Sequence, residues 1–85
     1  MTDKQITLYG AQWCGDCTRA KFLLEKHNMP YEYFDIDQDV LAKEYVIKIN
    51  PNGNQSIPVI KIKGREEKIL IEPTASELEA AILDD

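Results

Sequence analysis

The sequence has no apolar run longer than four residues, the longest being residues 80–83. A membrane-spanning helix needs about 20, so that class is excluded. It also has no basic excess. Ten Lys and Arg stand against 15 Asp and Glu, a formal charge of −5, and the cations are scattered among the acids. Nucleic-acid binders need concentrated Lys and Arg for phosphate contacts, so no nucleic-acid partner is expected. With two cysteines and one histidine, neither a disulfide framework nor a four-ligand zinc site can be assembled within the chain. The start, Met1-Thr2-Asp3-Lys4-Gln5, lacks the apolar stretch of a secretory signal, which makes the cytoplasm the expected location. There a permanent disulfide does not persist.

What remains is ordinary for a small globular protein: 85 residues, 44% hydrophobic and 29% charged, enough for one domain, residues 1–85. Residues 5–9 are β-rich and stopped by Gly10. From Cys14 to His27 the pattern turns helical, with Cys17, Ala20 and Leu24 on one face and Arg19, Lys21, Glu25 and Lys26 pointing elsewhere. Asn28 and Pro30 end that helix. Residues 31–36 alternate as a strand, and Asp37 is placed to cap a second helix carrying Leu41, Ala42, Tyr45 and Val46. Turn residues 50–54 follow. Residues 57–62 form a third strand with Pro58 at its start, a hairpin at 63–67 leads to a return strand over 68–72, and Thr74-Ala75-Ser76-Glu77 reads as a capping box for a last helix.

The order is β-α-β-α-β-β-α. A right-handed crossover makes the first two strands parallel. The hairpin supplies the other two in antiparallel sense. The expected fold is α/β, a four-stranded mixed sheet with helices on its faces.

One constellation carries chemistry. Trp13-Cys14-Gly15-Asp16-Cys17 lies at the junction of the first strand and first helix. Free N–H groups and the positive end of the helix dipole favour an anion at Cys14. Cys17, three residues on, shares its face, within the roughly 4.4–6.8 Å Cα spacing of a disulfide. The pair can therefore open and close with little backbone movement, which points to redox chemistry. Three plainer readings compete: a structural disulfide, worth only about 2 kcal/mol for so short a loop; a zinc site, for which His27 lies at the wrong end of the helix; and two small buried hydrophobes.

With Ser56-Ile57-Pro58-Val59 opening the third strand, this motif and element order resemble a thioredoxin-fold protein of glutaredoxin size. The resemblance implies a cis proline at Pro58 packed on the cysteine pair, and backbone pairing of a substrate or thiol at Ile57. The chain differs from most glutaredoxins in having Gly15-Asp16 between the cysteines. It also has Glu72-Pro73-Thr74-Ala75-Ser76 where a Gly-Gly pair is usual, and Gly10-Ala11-Gln12 where a lysine is common. In the Trp13-Cys14-Gly15-Asp16-Cys17 core, in Asn52-Gly53-Asn54-Gln55-Ser56-Ile57-Pro58 and in Glu72-Pro73-Thr74-Ala75-Ser76 it looks closer to mycoredoxins.

The implied activity is thiol–disulfide exchange on disulfide-containing or S-thiolated proteins. Cys14 is the nucleophile and Cys17 the resolving cysteine. No cofactor is bound, and a low-molecular-weight thiol, mycothiol or glutathione, donates the electrons to an expected monomer. Trp13, Ser56, Ile57 and Pro58 are assigned to the substrate groove. Thr74 and Ala75, at a helix start, are assigned to a carboxylate of the thiol. Gly15 and Asp16 tune the pair, since a carboxylate beside Cys14 opposes its thiolate and makes the pair more reducing. Two alternatives stay open. One is an electron donor of the thioredoxin or ribonucleotide-reductase type, fed by a flavoprotein reductase, although residues 81–85 lack the Trp-Ser-Gly-Phe-like ending of such redoxins. The other is a non-enzymatic protein whose cysteines share a metal or iron–sulfur cluster between two chains.

Overall fold

A computed structural model describes residues 4–83. Met1–Asp3 and Asp84–Asp85, which enter the readings of the two termini above, lie outside the described residues. The elements run β1 (Gln5–Gly10), α1 (Gly15–Lys26), β2 (Tyr31–Asp35), α2 (Val40–Ile49), a 3-10 turn (Pro51–Gly53), β3 (Val59–Lys63), β4 (Glu67–Ile71) and α3 (Ala75–Leu83). The sheet order is β2-β1-β3-β4, with β1 and β2 parallel and the other two pairings antiparallel. The expected order and mixed sheet are both present.

The strands alternate, so the sheet has two apolar faces. One is covered by α1 and α3: Leu8, Leu24, Ile60, Ile62 and Ile82 are almost wholly buried there. The other lies under α2, where Val46 and Val59 are fully buried and Tyr9 stacks on Phe34 with ring centroids 5.6 Å apart. Cys14 and Cys17 belong to this second cluster. They sit where the chain leaves β1 and crosses the carboxyl end of the sheet.

The helix caps decide how the elements are joined. Thr74 and Glu77 exchange bonds as a capping box: Thr74 N–H donates to Glu77 Oε1 at 2.8 Å, and Glu77 N–H donates to Thr74 Oγ1 at 3.1 Å. At α2 the cap is Asp39, not Asp37. Asp39 Oδ1 accepts the Ala42 N–H at 3.1 Å. Asp37 is engaged earlier, its own N–H bonding Asp35 Oδ1 at 2.8 Å in a turn and its carboxylate accepting from Trp13. Leu41, expected on the inward face, is turned outward, 77% exposed, while Ala42 and Val46 face the core. Other boundaries differ too. Gly10 is the last residue of β1 rather than its terminator, α1 spans Gly15–Lys26 with Cys14 and His27 as its caps, β2 stops at Asp35, β3 begins after Pro58, and β4 covers Glu67–Ile71.

The cap assignment has a direct consequence. Asp39→Ala lowers stability by about 1 kcal/mol in urea unfolding. Asp37→Ala, which leaves the Ala42 N–H satisfied, costs less than half as much.

Candidate active site

The site is built on one backbone reversal. Cys14 N–H donates to Ala11 C=O at 3.2 Å, closing a turn that delivers Cys14 to the N-cap of α1. There its sulfur does what a Ser or Asp oxygen does at other helix starts. Cys14 Sγ accepts the Cys17 N–H at 3.1 Å, which orients an N–H dipole at the sulfur. A thiolate is the better acceptor for that bond.

The two sulfurs are unequal. Cys14 is 6% exposed and Cys17 only 1%. Burial, and then contact with Cys14, push the Cys17 thiol up to about 12 from an ordinary 9.0. At neutral pH Cys17 holds its proton, and Cys14, the helix cap, adjoins Gly15. A Cβ at Gly15 would meet no heavy atom within 4 Å among the described residues.

The opposite wall is the segment before β3. The Ile57–Pro58 bond is cis, Pro58 is almost fully buried, and Ile57 C=O lies 4.0 Å from Cys14 Sγ, within reach of the thiol. The Ile57 backbone therefore lines the space in front of Cys14 Sγ. Ser56, half-buried, contributes its carbonyl to a clamp from Asn50. The Asn50 amide donates to Val46 C=O at 2.8 Å and reaches Ser56 C=O at 3.4 Å. Asn50 is 5% exposed, a buried polar side chain whose bonds tie α2 to the loop that carries Ile57 and Pro58.

Trp13 stands beside the site, 71% exposed, with its indole N–H donating to Asp37 Oδ2 at 2.8 Å. Asp16 and Arg19 pair one helical turn apart. Both are largely exposed, so the pair adds little stability but balances the Asp16 charge locally. A cleft of about 260 Å³ runs from Asp16 and Arg19 to Pro73, Thr74 and Ala75. The donors expected there for a carboxylate are partly used, since Glu77 already places its own carboxylate on the Thr74 N–H.

The arrangement is that of a dithiol pair, both residues buried and Cys17 the more deeply, facing a cis-proline wall. The glutaredoxin family model matches residues 6–66. The chain belongs to the glutaredoxin family. It is therefore a thiol–disulfide oxidoreductase. A Mycobacterium tuberculosis protein named as a glutaredoxin is 31% identical over 83 residues, 98% of this chain and 95% of its own length. Mycoredoxin 1 of Corynebacterium glutamicum is 32% identical over 56 residues, 66% of this chain and 67% of its own. The oxidised thioredoxin of Plasmodium falciparum shares the fold, with a TM-score of 0.69 at 22% identity over 96% of this chain and 80% of that one. Glutaredoxins as a family act on disulfides with thiol-based reductants, among them low-molecular-weight thiols.

Two residues of this glutaredoxin site carry no sequence signal of their role. Asn50 looks like a turn residue. Gly10 looks like a strand breaker, yet a Cβ there would stand 2.7 Å from Cys17 Sγ and 3.2 Å from Leu8 Cδ2. Only glycine leaves Cys17 its place against the end of β1. Gly10→Ala accordingly destabilises the reduced protein by about 1–3 kcal/mol in urea unfolding. In a Cys17→Ala background, where the sulfur is gone, the same substitution costs distinctly less.

Proposed function

We propose that this glutaredoxin-family chain reduces protein disulfides and protein–small-thiol mixed disulfides with Cys14 as nucleophile and Cys17 as resolving cysteine. The observation that carries the reading is the Cys17 N–H bond to Cys14 Sγ, 3.1 Å, which aims positive charge at one sulfur while burial keeps the other protonated. Cys14 attacks the substrate disulfide, the first substrate thiol leaves, and a mixed disulfide forms on Cys14. A second thiol then releases the product, either Cys17 from within the helix or a small thiol from solvent. Ile57 pairs its backbone with the bound chain, Ser56 and Pro58 complete that wall, and Trp13 shields the sulfur on its exposed side. Gly15 keeps the mouth open. Asp16, partly balanced by Arg19, holds the pair at a more reducing potential.

The regenerating donor in this reading is a low-molecular-weight thiol of mycothiol or glutathione type, held in the cleft that ends at Thr74 and Ala75. Charge favours the first. Glu72 and Asp16 line the cleft, Arg19 is taken by Asp16, and the Glu77 carboxylate occupies the Thr74 N–H. The two carboxylates of glutathione find little unopposed positive charge there, whereas a sugar-linked thiol with no carboxylate meets no repulsion. The protein is read as a single cytoplasmic domain acting as a monomer, with no cofactor bound.

The test is turnover of a protein mixed disulfide with electrons supplied by mycothiol, by glutathione, or by thioredoxin reductase and NADPH. Turnover is expected with a small thiol, mycothiol exceeding glutathione. It survives Cys17→Ser and falls to background in Cys14→Ser. Turnover only with thioredoxin reductase, lost in Cys17→Ser, overturns the reading in favour of a reductase-fed donor.

A further inference from the structure

Tyr33 is the one residue among those described whose buried side-chain polar atom, its hydroxyl, has no hydrogen-bond partner. It stands on β2 opposite Leu8 and packs into the core beneath α1. Its ring is covered by a cation: Lys21 Nζ lies 3.4 Å from the ring centroid. The helical pattern assigns Lys21 to the solvated side of α1. Instead it is half-buried, folded onto Tyr33. An ammonium at this distance from an aromatic face is held there by the ring quadrupole.

The position matters because of what lies one turn earlier. Cys17 and Lys21 are four residues apart on α1, so both side chains leave the helix on the same face. Cys17 is sealed from water, and a thiolate formed there has no solvent to stabilise it. Its surroundings supply little help. Burial and Cys14 push the Cys17 thiol up, and only the Ala11 backbone and the Lys21 ammonium pull it down. The other charged or titratable groups around Tyr33 are Asp35, Cys14 and Asp37, all of which act as negative charges on it.

We propose that Lys21, seated on the Tyr33 ring, is a positioning residue for the resolving step, its ammonium placed to stabilise the Cys17 thiolate as it forms and attacks Cys14. The proposal rests on the reading of Cys17 as resolving cysteine. In that step the Cys17 sulfur loses its proton and bonds to Cys14 Sγ. The bond between Cys14 and the substrate sulfur breaks, and the substrate leaves as a thiol, the proton that Cys17 gives up ending on the departing sulfur. The substrate disulfide has gained two electrons and the cysteine pair has lost two. Tyr33 acts through its ring alone, as a platform, so its hydroxyl is dispensable.

The experiment is stopped-flow reaction of the reduced protein with dithiodipyridine, a neutral disulfide that releases an absorbing thione at each step. The first equivalent leaves in a bimolecular phase set by Cys14, the second in a first-order phase set by Cys17. Lys21→Met slows the second phase about tenfold at neutral pH and moves its pH dependence upward by about one unit. The first phase stays within about twofold of wild type. Lys21→Arg restores the second phase, Tyr33→Phe leaves it near wild type, and Tyr33→Leu slows it as Lys21→Met does. An unchanged second phase in Lys21→Met, or a slowing that Arg does not rescue, overturns the proposal alone. Release of a single equivalent by the wild-type protein overturns both the proposal and the dithiol reading beneath it.

Discussion

The site depends on a sulfur doing the work of a helix cap. A helix start leaves four N–H groups without partners, and the usual remedy is a side-chain oxygen. Here Cys14 Sγ takes the Cys17 N–H, so the first turn of α1 and the surroundings of the Cys14 sulfur are set by one bond. A change that moves the helix start moves the sulfur, and a change in the charge of the sulfur alters the cap.

The rest of the fold holds that bond in place. β1 ends against Cys17, with no room at Gly10 for a Cβ. The Ile57–Pro58 wall is braced from α2 through Asn50. His27 at the end of α1 meets Glu79 of α3 at 2.8 Å, which joins the two helices on the far face of the sheet. Each element packed around α1 thus limits its rotation about its own axis, and that rotation would separate Cys14 from Ile57. The inequality of the two cysteines follows from the same packing. Cys17 lies on the inward face with Ala20 and Leu24, while Cys14 precedes the helix as its cap.

Much of this is legible in the sequence, because the signals concerned are local. The spacing of Cys17, Ala20 and Leu24 gives the buried face of α1, and the Thr74–Glu77 capping box gives the start of α3, since both depend on helical geometry alone. The cap of α2 is less legible. Asp35, Asp37 and Asp39 are chemically alike, and their division among a turn, the Trp13 indole and the helix depends on where β2 stops. Gly10, Asn50 and Lys21 are the least legible. Each has a common local explanation as breaker, turn residue or surface charge, and each takes its part from a neighbour distant in sequence or a turn away: the Cys17 sulfur, the Ser56 carbonyl and the Tyr33 ring. Tertiary contact sets these roles, and no periodicity encodes it.

The central claim is that the two sulfurs are unequal, Cys14 reacting first while the more deeply buried Cys17 is held protonated. Alkylation of the reduced, full chain with a small excess of iodoacetamide at neutral pH, followed by peptide mapping, tests it directly. The label is predicted to appear on Cys14 well before Cys17, because the Cys17 thiol is buried and held protonated. Equal labelling of the two, or labelling of Cys17 first, would contradict the account.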